Sequence, residues 1–372
     1  MSGQRTYLYV GGPTRPTPYY PTNNAKGIST FSFDQATGAI APVGLIEGID
    51  NPTWIGVDAK RKVLHVNSEV FGWNEGTVSA YAVDPADGTL SYINKQPTLG
   101  SIAAFNSHDR NANFLLVANY SLTPEGELPN KAIAVLPIRE DGGLKAAVSD
   151  ATHAGTGPDP ERQERPHPHC VRVTPDNRHI VVADLGLDLL VVYRFDAQTG
   201  AIARAGAASV PAGAGPRHFV FHPRGNLLYV ANELDSTVTS FAFEADQAKL
   251  TSVSTISALP ESAGSGSFCS EIAISADGAY LYVANRGHDS IGVIALDSEG
   301  GMVLEHSVPC GGQFPRHFAI DPSGNFLVAA SQNSDKLAVF AINKESGELT
   351  PTGTEIPIGT PTCVAFLQID EA

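Results

Sequence analysis

An apolar strand end, an Asp/Gly-rich turn and a resumed apolar run recur seven times along the chain. The copies read FDQATGAI from Phe33, VDPADGTL from Val83, IREDGGL from Ile138, FDAQTGAI from Phe195, FEADQAKL from Phe243, LDSEGGMV from Leu296 and INKESGEL from Ile342. Each has the chemistry of a short hairpin loop: aspartate bonds back to its own backbone and glycine accepts positive φ. A second turn family, about 20 residues ahead of the first, has six copies: VDAKRKVLHV, SHDRNANFLLV, TPDNRHIVV, HPRGNLLYV, SADGAYLYV and DPSGNFLVA. Repetition at this spacing marks an array of one supersecondary unit.

Six turns against seven are explained by a ring of four-stranded antiparallel blades. The six join strands a and b, and the seven join c and d. The missing a–b turn falls where the chain ends meet. TPTCVAFL near the C-terminus becomes strand a of the blade whose strands b to d are TYLYVGG, GISTFSF and AIAPVGL. The expected fold is therefore all-β, a seven-bladed β-propeller spanning residues 1–372 as one domain, closed by its C-terminal strand joining the N-terminal blade. Closure leaves few exposed sheet edges.

Register sharpens the expectation. Strand-a starts align as Thr53, Ala103, His169, Arg217, Ser270, Arg316 and Thr362; strand-b ends align as Glu69, Tyr120, Leu185, Glu233, Arg286 and Gln332, with Pro13 completing the ring. The offset within a blade is 16 residues in five cases and 17 in the sixth, Ala103 to Tyr120. One repeated hairpin produces such constancy, whereas two β-sandwiches side by side would produce no such columns. Three segments interrupt the repeat: PTRPTPYYPTNNAKG in the first blade, YSLTPEGELPNKAIAVLPI in the third, and ATHAGTGPDPERQERPHPH before the fourth. All three belong to the end of the ring that carries the b–c and d–a connections, where they are expected to form a rim.

Both columns surround one mouth of the central channel, and their polar members cluster in consecutive blades. They are His169, Arg217, Glu233, Arg286 and Arg316, with His167, His218, Glu271 and His317 within two residues of them. The chain as a whole has a net charge of -15, which repels phosphate backbones and anionic lipid, so neither nucleic acid nor a membrane surface is an expected partner. Three arginines at one mouth are a local basic exception suited to a small anion. Arg217 and Glu233 also face each other closely enough for a structural ion pair. His167 and His169 project the same way from an extended strand, as a metal pair could, but no carboxylate-rich motif accompanies them, and neither metal nor cofactor is expected. GxSxG and a phosphate-cradling glycine loop are missing. Four cysteines without CxxC spacing read as reduced core residues of a cytoplasmic protein, and the opening MSGQRTYLYVGG reads as strand rather than signal peptide.

The runs PHPHCVRVTPDNRHIVVADLGLD, GPRHFVFHPRGNLLYVANELDSTV, ISADGAYLYVANRGHDSIGV and FPRHFAIDPSGNFLVAAS resemble the seven-bladed propeller lactonases. That family includes propeller 6-phosphogluconolactonases and a fungal carboxymuconate-lactonizing enzyme. The likeness covers essentially the whole chain and is most specific from His167 to Gln332. It implies an active-site set of His169, Arg217, Glu233 and Arg286, four of the five polar residues that register singles out. LGSIAAFNS in the third blade and AASQN in the last depart from the family's usual runs and bear on substrate identity.

The expected activity is hydrolysis of a sugar-acid lactone, by default 6-phosphogluconolactone, or else a non-phosphorylated aldonic or aldaric lactone. The rivals are carboxymuconate cycloisomerisation and a non-catalytic binding propeller. Arg217 and Arg286, with Arg316 as a third member, would clamp the anion; His169 would be the base and Glu233 its orienter. His167, His218, Glu271 and Gln332 complete the expected substrate-binding set. Arg15, Lys26 and Arg165 are the further cations that a phosphate would call for.

Overall fold

A computed structural model describes residues 4–18, 20–122 and 129–370. Its strands form seven four-stranded antiparallel sheets. In six of them the chain runs a to d in order; in the first blade Cys363–Asp370 supplies strand a beside Gln4–Gly11, Gly27–Phe33 and Ile40–Glu47. Eight residue pairs, from Gln4↔Asp370 to Gly11↔Cys363, zip the two ends of the chain together. The strands a touch one another in cyclic order around the channel. Alternation along strands a and b buries apolar residues on both faces, so that Phe105, Phe219 and Phe318 on strands a and Tyr9, Tyr229 and Tyr282 on strands b lie fully buried.

The c–d turns are built as their sequence demands. Asp34 accepts from the amide of Ala36 at 2.8 Å, and Gly38 closes the loop at φ 73°. Each of the six other copies has a positive-φ glycine in this turn; Ala248 stands in for it and takes the same left-handed conformation at φ 51°. Strand d of the third blade is cut to Ser149–Ala151 by the irregular connection around it.

One feature of register positions the site. Strand a of the fifth blade pairs Pro216 with Asn232 and then His218 with Ala231, so Arg217 is an extra residue in a β-bulge. The same skip isolates Thr53, Ala104, His169 and Arg316 in their blades. In the sixth blade it spans Ser270 and Glu271. A bulge re-aims one side chain out of the alternating pattern. Here the repeated bulge turns a ring of side chains toward the channel mouth. It also corrects the third blade, where the bulged residue is Ala104 rather than Ala103, which brings its offset to Tyr120 to the common 16 residues.

Candidate active site

A cavity of about 360 Å³ opens at this mouth, walled by His167, His169, Glu233, Arg286, Arg316, Glu69, Tyr120 and Arg162, with Phe268 and Phe314 as apolar faces. Of the sequence-derived residues, His169, Glu233, Arg286, Arg316 and His167 line it. Arg217 lies just beneath, in a narrow extension shared with His218, His317 and Trp54. Glu271 is buried deeper, and Gln332 is fully buried with its amide donating to Asn333 at 3.0 Å.

Glu233 is the hub. Arg217 Nε lies 2.9 Å and Arg286 Nη2 2.8 Å from its Oε2, while Arg162 Nη2 reaches Oε1 at 2.5 Å. Burial alone would raise this carboxyl's pKa, but Arg286, Arg162 and Arg217 outweigh it and hold Glu233 well below the usual carboxylate range. It stays ionised at any working pH and makes a poor base. The ion pair expected between Arg217 and Glu233 is present, enlarged to a three-arginine cage. The arginines are fixed from behind as well: Arg217 Nη1 donates to the Ser270 carbonyl at 2.6 Å and Arg286 Nη2 to that of Cys269 at 3.0 Å.

Arg316 is different. No carboxylate among the described residues lies within ion-pair distance of it, and its guanidinium stacks 4.8 Å from the centroid of the Tyr20 ring. Burial works to lower its pKa, but Tyr20, Glu69 and Glu233 outweigh that and raise it. Arg316 is therefore a charged fork on the cavity wall without a bonded anion. Glu69 is held back from it by Thr53, whose hydroxyl donates at 2.6 Å.

His169 is buried, and its pKa is pushed well below the ordinary imidazole value, by burial first and then by Arg217 and His218. It is neutral at working pH. Its Nδ1 lies 3.1 Å from His218 Nε2, no partner among the described residues meets Nε2, and the residue lines the cavity. His167 offers no such nitrogen. Its Nδ1 donates to the Tyr120 carbonyl at 2.8 Å, its Nε2 faces Glu164 at 3.1 Å, and the ring stacks on Tyr120 with centroids 4.3 Å apart. The two histidines thus do not converge as a metal pair would.

Arg162 is the functional residue that sequence reasoning missed. It belongs to the expected rim segment, and a tight turn aims it. Asp159 Oδ1 accepts from the amides of Glu161 and Arg162 at 2.8 and 3.1 Å. Gln163, fully buried, pins the turn by donating to the Leu185 carbonyl and to Asp188 at 2.8 and 2.7 Å. Asp-Pro-Glu-Arg-Gln signals a turn, but only the contact with Glu233, 71 residues away, shows where it points. Tyr20 and Leu122 bring the other two insertions to the mouth; residues 19 and 123–128 of those segments lie outside the described residues.

None of the three phosphate candidates is a wall residue of the cavity. Arg15 pairs with Asp50 and Lys26 lines a separate surface cleft. Arg165 stands behind the rim, bonded to two wall residues: it pairs with Glu164 at 2.9 Å and donates to the Leu122 carbonyl at 3.0 Å. No helix among the described residues is long and apolar enough to cross a membrane.

Known proteins share this arrangement of blades. The family model described as "Lactonase, 7-bladed beta-propeller" matches residues 7–366. A 6-phosphogluconolactonase of Bacillus subtilis is 34% identical over 349 residues, 94% of this chain and 96% of its own length. One of Formosa agariphila, also named 6-phosphogluconolactonase, is 30% identical over 83% of this chain and 84% of its own. The solved structure of a periplasmic gluconolactonase from Pseudomonas aeruginosa superposes with a TM-score of 0.87 at 31% identity, covering 98% of this chain and 99% of that one. A match along nearly the whole ring makes this chain a member of the seven-bladed β-propeller lactonase family and a lactonase.

Proposed function

We propose that the mouth hydrolyses the lactone of a sugar acid, with His169 as general base and Arg316 and Arg286 as the cationic wall. One observation carries this reading: a neutral imidazole edge and an arginine without a carboxylate partner line the same small cavity. The volume suits a single ring compound. A water between substrate and His169 would give its proton to Nε2 as its oxygen bonds to the carbonyl carbon. The carbonyl π pair moves onto oxygen, where the guanidiniums stabilise it. On collapse the ring C–O bond breaks, and the leaving alkoxide takes the proton back from His169. Arg217 is assigned to hold Glu233 rather than to touch substrate.

Charge balance bears on which lactone. Arg162, Arg286 and Arg316 are matched on the cavity walls by Glu69, Glu161, Glu164 and Glu233. Among the described residues, Arg162, Arg217 and Arg286 are committed to Glu233 and Arg165 to Glu164, and Arg316 alone of these five has no carboxylate partner. One such guanidinium suits a neutral or singly charged lactone better than a phosphate dianion, and we favour a non-phosphorylated aldonic or aldaric lactone. The second reading, 6-phosphogluconolactone, is supported by the names of the relatives. The four cysteines are buried thiols, which fits the reducing cytoplasm.

A pH-stat panel tests both. Acid release from gluconolactone well above the spontaneous rate, with kcat/KM higher than for the 6-phospho compound, is the expected result. The reverse preference would install the phosphate reading. No acceleration of any lactone would overturn hydrolysis, and loss of muconate absorbance would then assign cycloisomerisation.

A further inference from the structure

We infer that Glu271 and His218 are positioning residues that fix the tautomer of His169 and leave its cavity-facing nitrogen bare. The inference deepens the reading of His169 as base and rests on it. Glu271 Oε2 lies 2.9 Å from His218 Nδ1 and 3.0 Å from His317 Nε2, and His218 Nε2 lies 3.1 Å from His169 Nδ1. Both Glu271 and His218 are at least nineteen-twentieths buried, and neither walls the main cavity.

Donor and acceptor roles follow from the two ends of this chain. The Ile272 amide donates to Glu271 Oε1 at 3.1 Å, and the Val364 amide donates to His317 Nδ1 at 3.2 Å. His317 therefore carries its proton on Nε2 and donates it to Glu271. An ionised carboxylate only accepts, so His218 Nδ1 is its other donor. Burial pushes the His218 pKa down to about 3, so its ring holds one proton and Nε2 accepts. Arg217 Nη1, 3.4 Å away, approaches the same lone pair. His169 must then donate through Nδ1, which leaves the lone pair on Nε2 facing the cavity. Packing holds the ring planes: Trp54 meets His218 and His317 edge-on at 5.3 and 5.1 Å, and Phe105 meets His218 at 5.1 Å. When His169 takes up a proton, the buried carboxylate stabilises the imidazolium through His218, as an orienting carboxylate does in a hydrolytic triad.

Glu271→Gln reverses the chain. The Ile272 amide requires an acceptor, so the new amide oxygen sits there; the NH2 group then donates to His218 Nδ1, and the His317 Nε2–H, which faces the same group, loses its acceptor. His218 Nδ1 must then accept and Nε2 donate, which moves the His169 proton onto Nε2. In ¹⁵N-histidine-labelled protein, two-bond ¹⁵N–¹H correlations are expected to show His169 as the Nδ1–H tautomer in the wild type and as Nε2–H in E271Q. Turnover of the E271Q variant should fall by roughly 10²-fold or more, with KM within about twofold because neither residue touches the cavity. An Nε2–H tautomer in the wild type overturns the inference. So does an E271Q variant that keeps both the Nδ1–H tautomer and wild-type kcat. If E271Q does not fold, the wild-type spectrum decides alone. An Nδ1–H tautomer in a protein that opens no lactone would support the relay and sink the functional reading instead.

Discussion

His169→Ala is expected to lower kcat on the preferred lactone by about 10²–10⁴-fold, the usual contribution of one positioned acid–base group. Physical grounds favour histidine over glutamate for this role. Glu233 accepts from Arg162 and Arg286 and lies against Arg217, so its lone pairs are engaged and its basicity is suppressed. His169 has a free edge, and its depressed pKa keeps that edge unprotonated. The sign is clear: lowering the pKa of a base extends its active form to lower pH. The acid limb of kcat/KM in the wild type should therefore lie below pH 6.5, the ordinary imidazole value. Truncation to Ala opens a space continuous with the cavity, so added imidazole should restore part of the lost turnover. Turnover within a few-fold of wild type would transfer the base role away from His169.

Glu233→Ala is expected to act on stability as well as on rate. Arg217 and Arg286 have side chains only 3% and 6% exposed, and Glu233 is the carboxylate paired with both. Removing one member of a buried ion network typically destabilises by about 3–5 kcal/mol, because the remaining charges stay desolvated. With an unfolding entropy of roughly 2.1 cal/mol/K per residue, that corresponds to a melting temperature lower by about 4–6 °C. The carboxyl's pKa is depressed in the fold, so its contribution is present above the unfolded value near 4.3 and is lost as the pH falls through the folded one. Turnover should drop by about 10²-fold, since the loosened arginines no longer hold the cationic wall in place. A Glu233→Ala protein with wild-type melting temperature would show that the cage is not stabilising.

The ring was legible because its evidence is repetitive. Turns of fixed chemistry recurred with a fixed offset, and the absence of one a–b turn located the closure between Cys363–Asp370 and Gln4–Gly11. The mouth was legible in outline for the same reason: His169, Arg217, Glu233 and Arg286 occupy equivalent register positions, so knowing the fold brings them together. The repeat does not reveal depth. His218 stands one position beyond the bulged Arg217, and Glu271 is the second residue of the two-residue bulge in the sixth blade; neither is a wall residue of the cavity. Nor does it reveal partners supplied by irregular chain. Arg162 lies in a non-repeating segment, and its reach to Glu233 depends on a turn pinned by Gln163. The same contact turns an ion pair foreseen in one hairpin into a cage; Arg316 has no carboxylate partner among the described residues, which is why the proposed cationic wall keeps Arg286 and Arg316 of the expected clamp and drops Arg217.

A crystal structure with a bound aldonate product tests the central claim most directly. The product carboxylate is expected in the mouth, with one oxygen within hydrogen-bond reach of His169 Nε2 and the other on Arg316 or Arg286. Product bound at the opposite end of the channel, or in the mouth with its carboxylate turned away from His169, would contradict it.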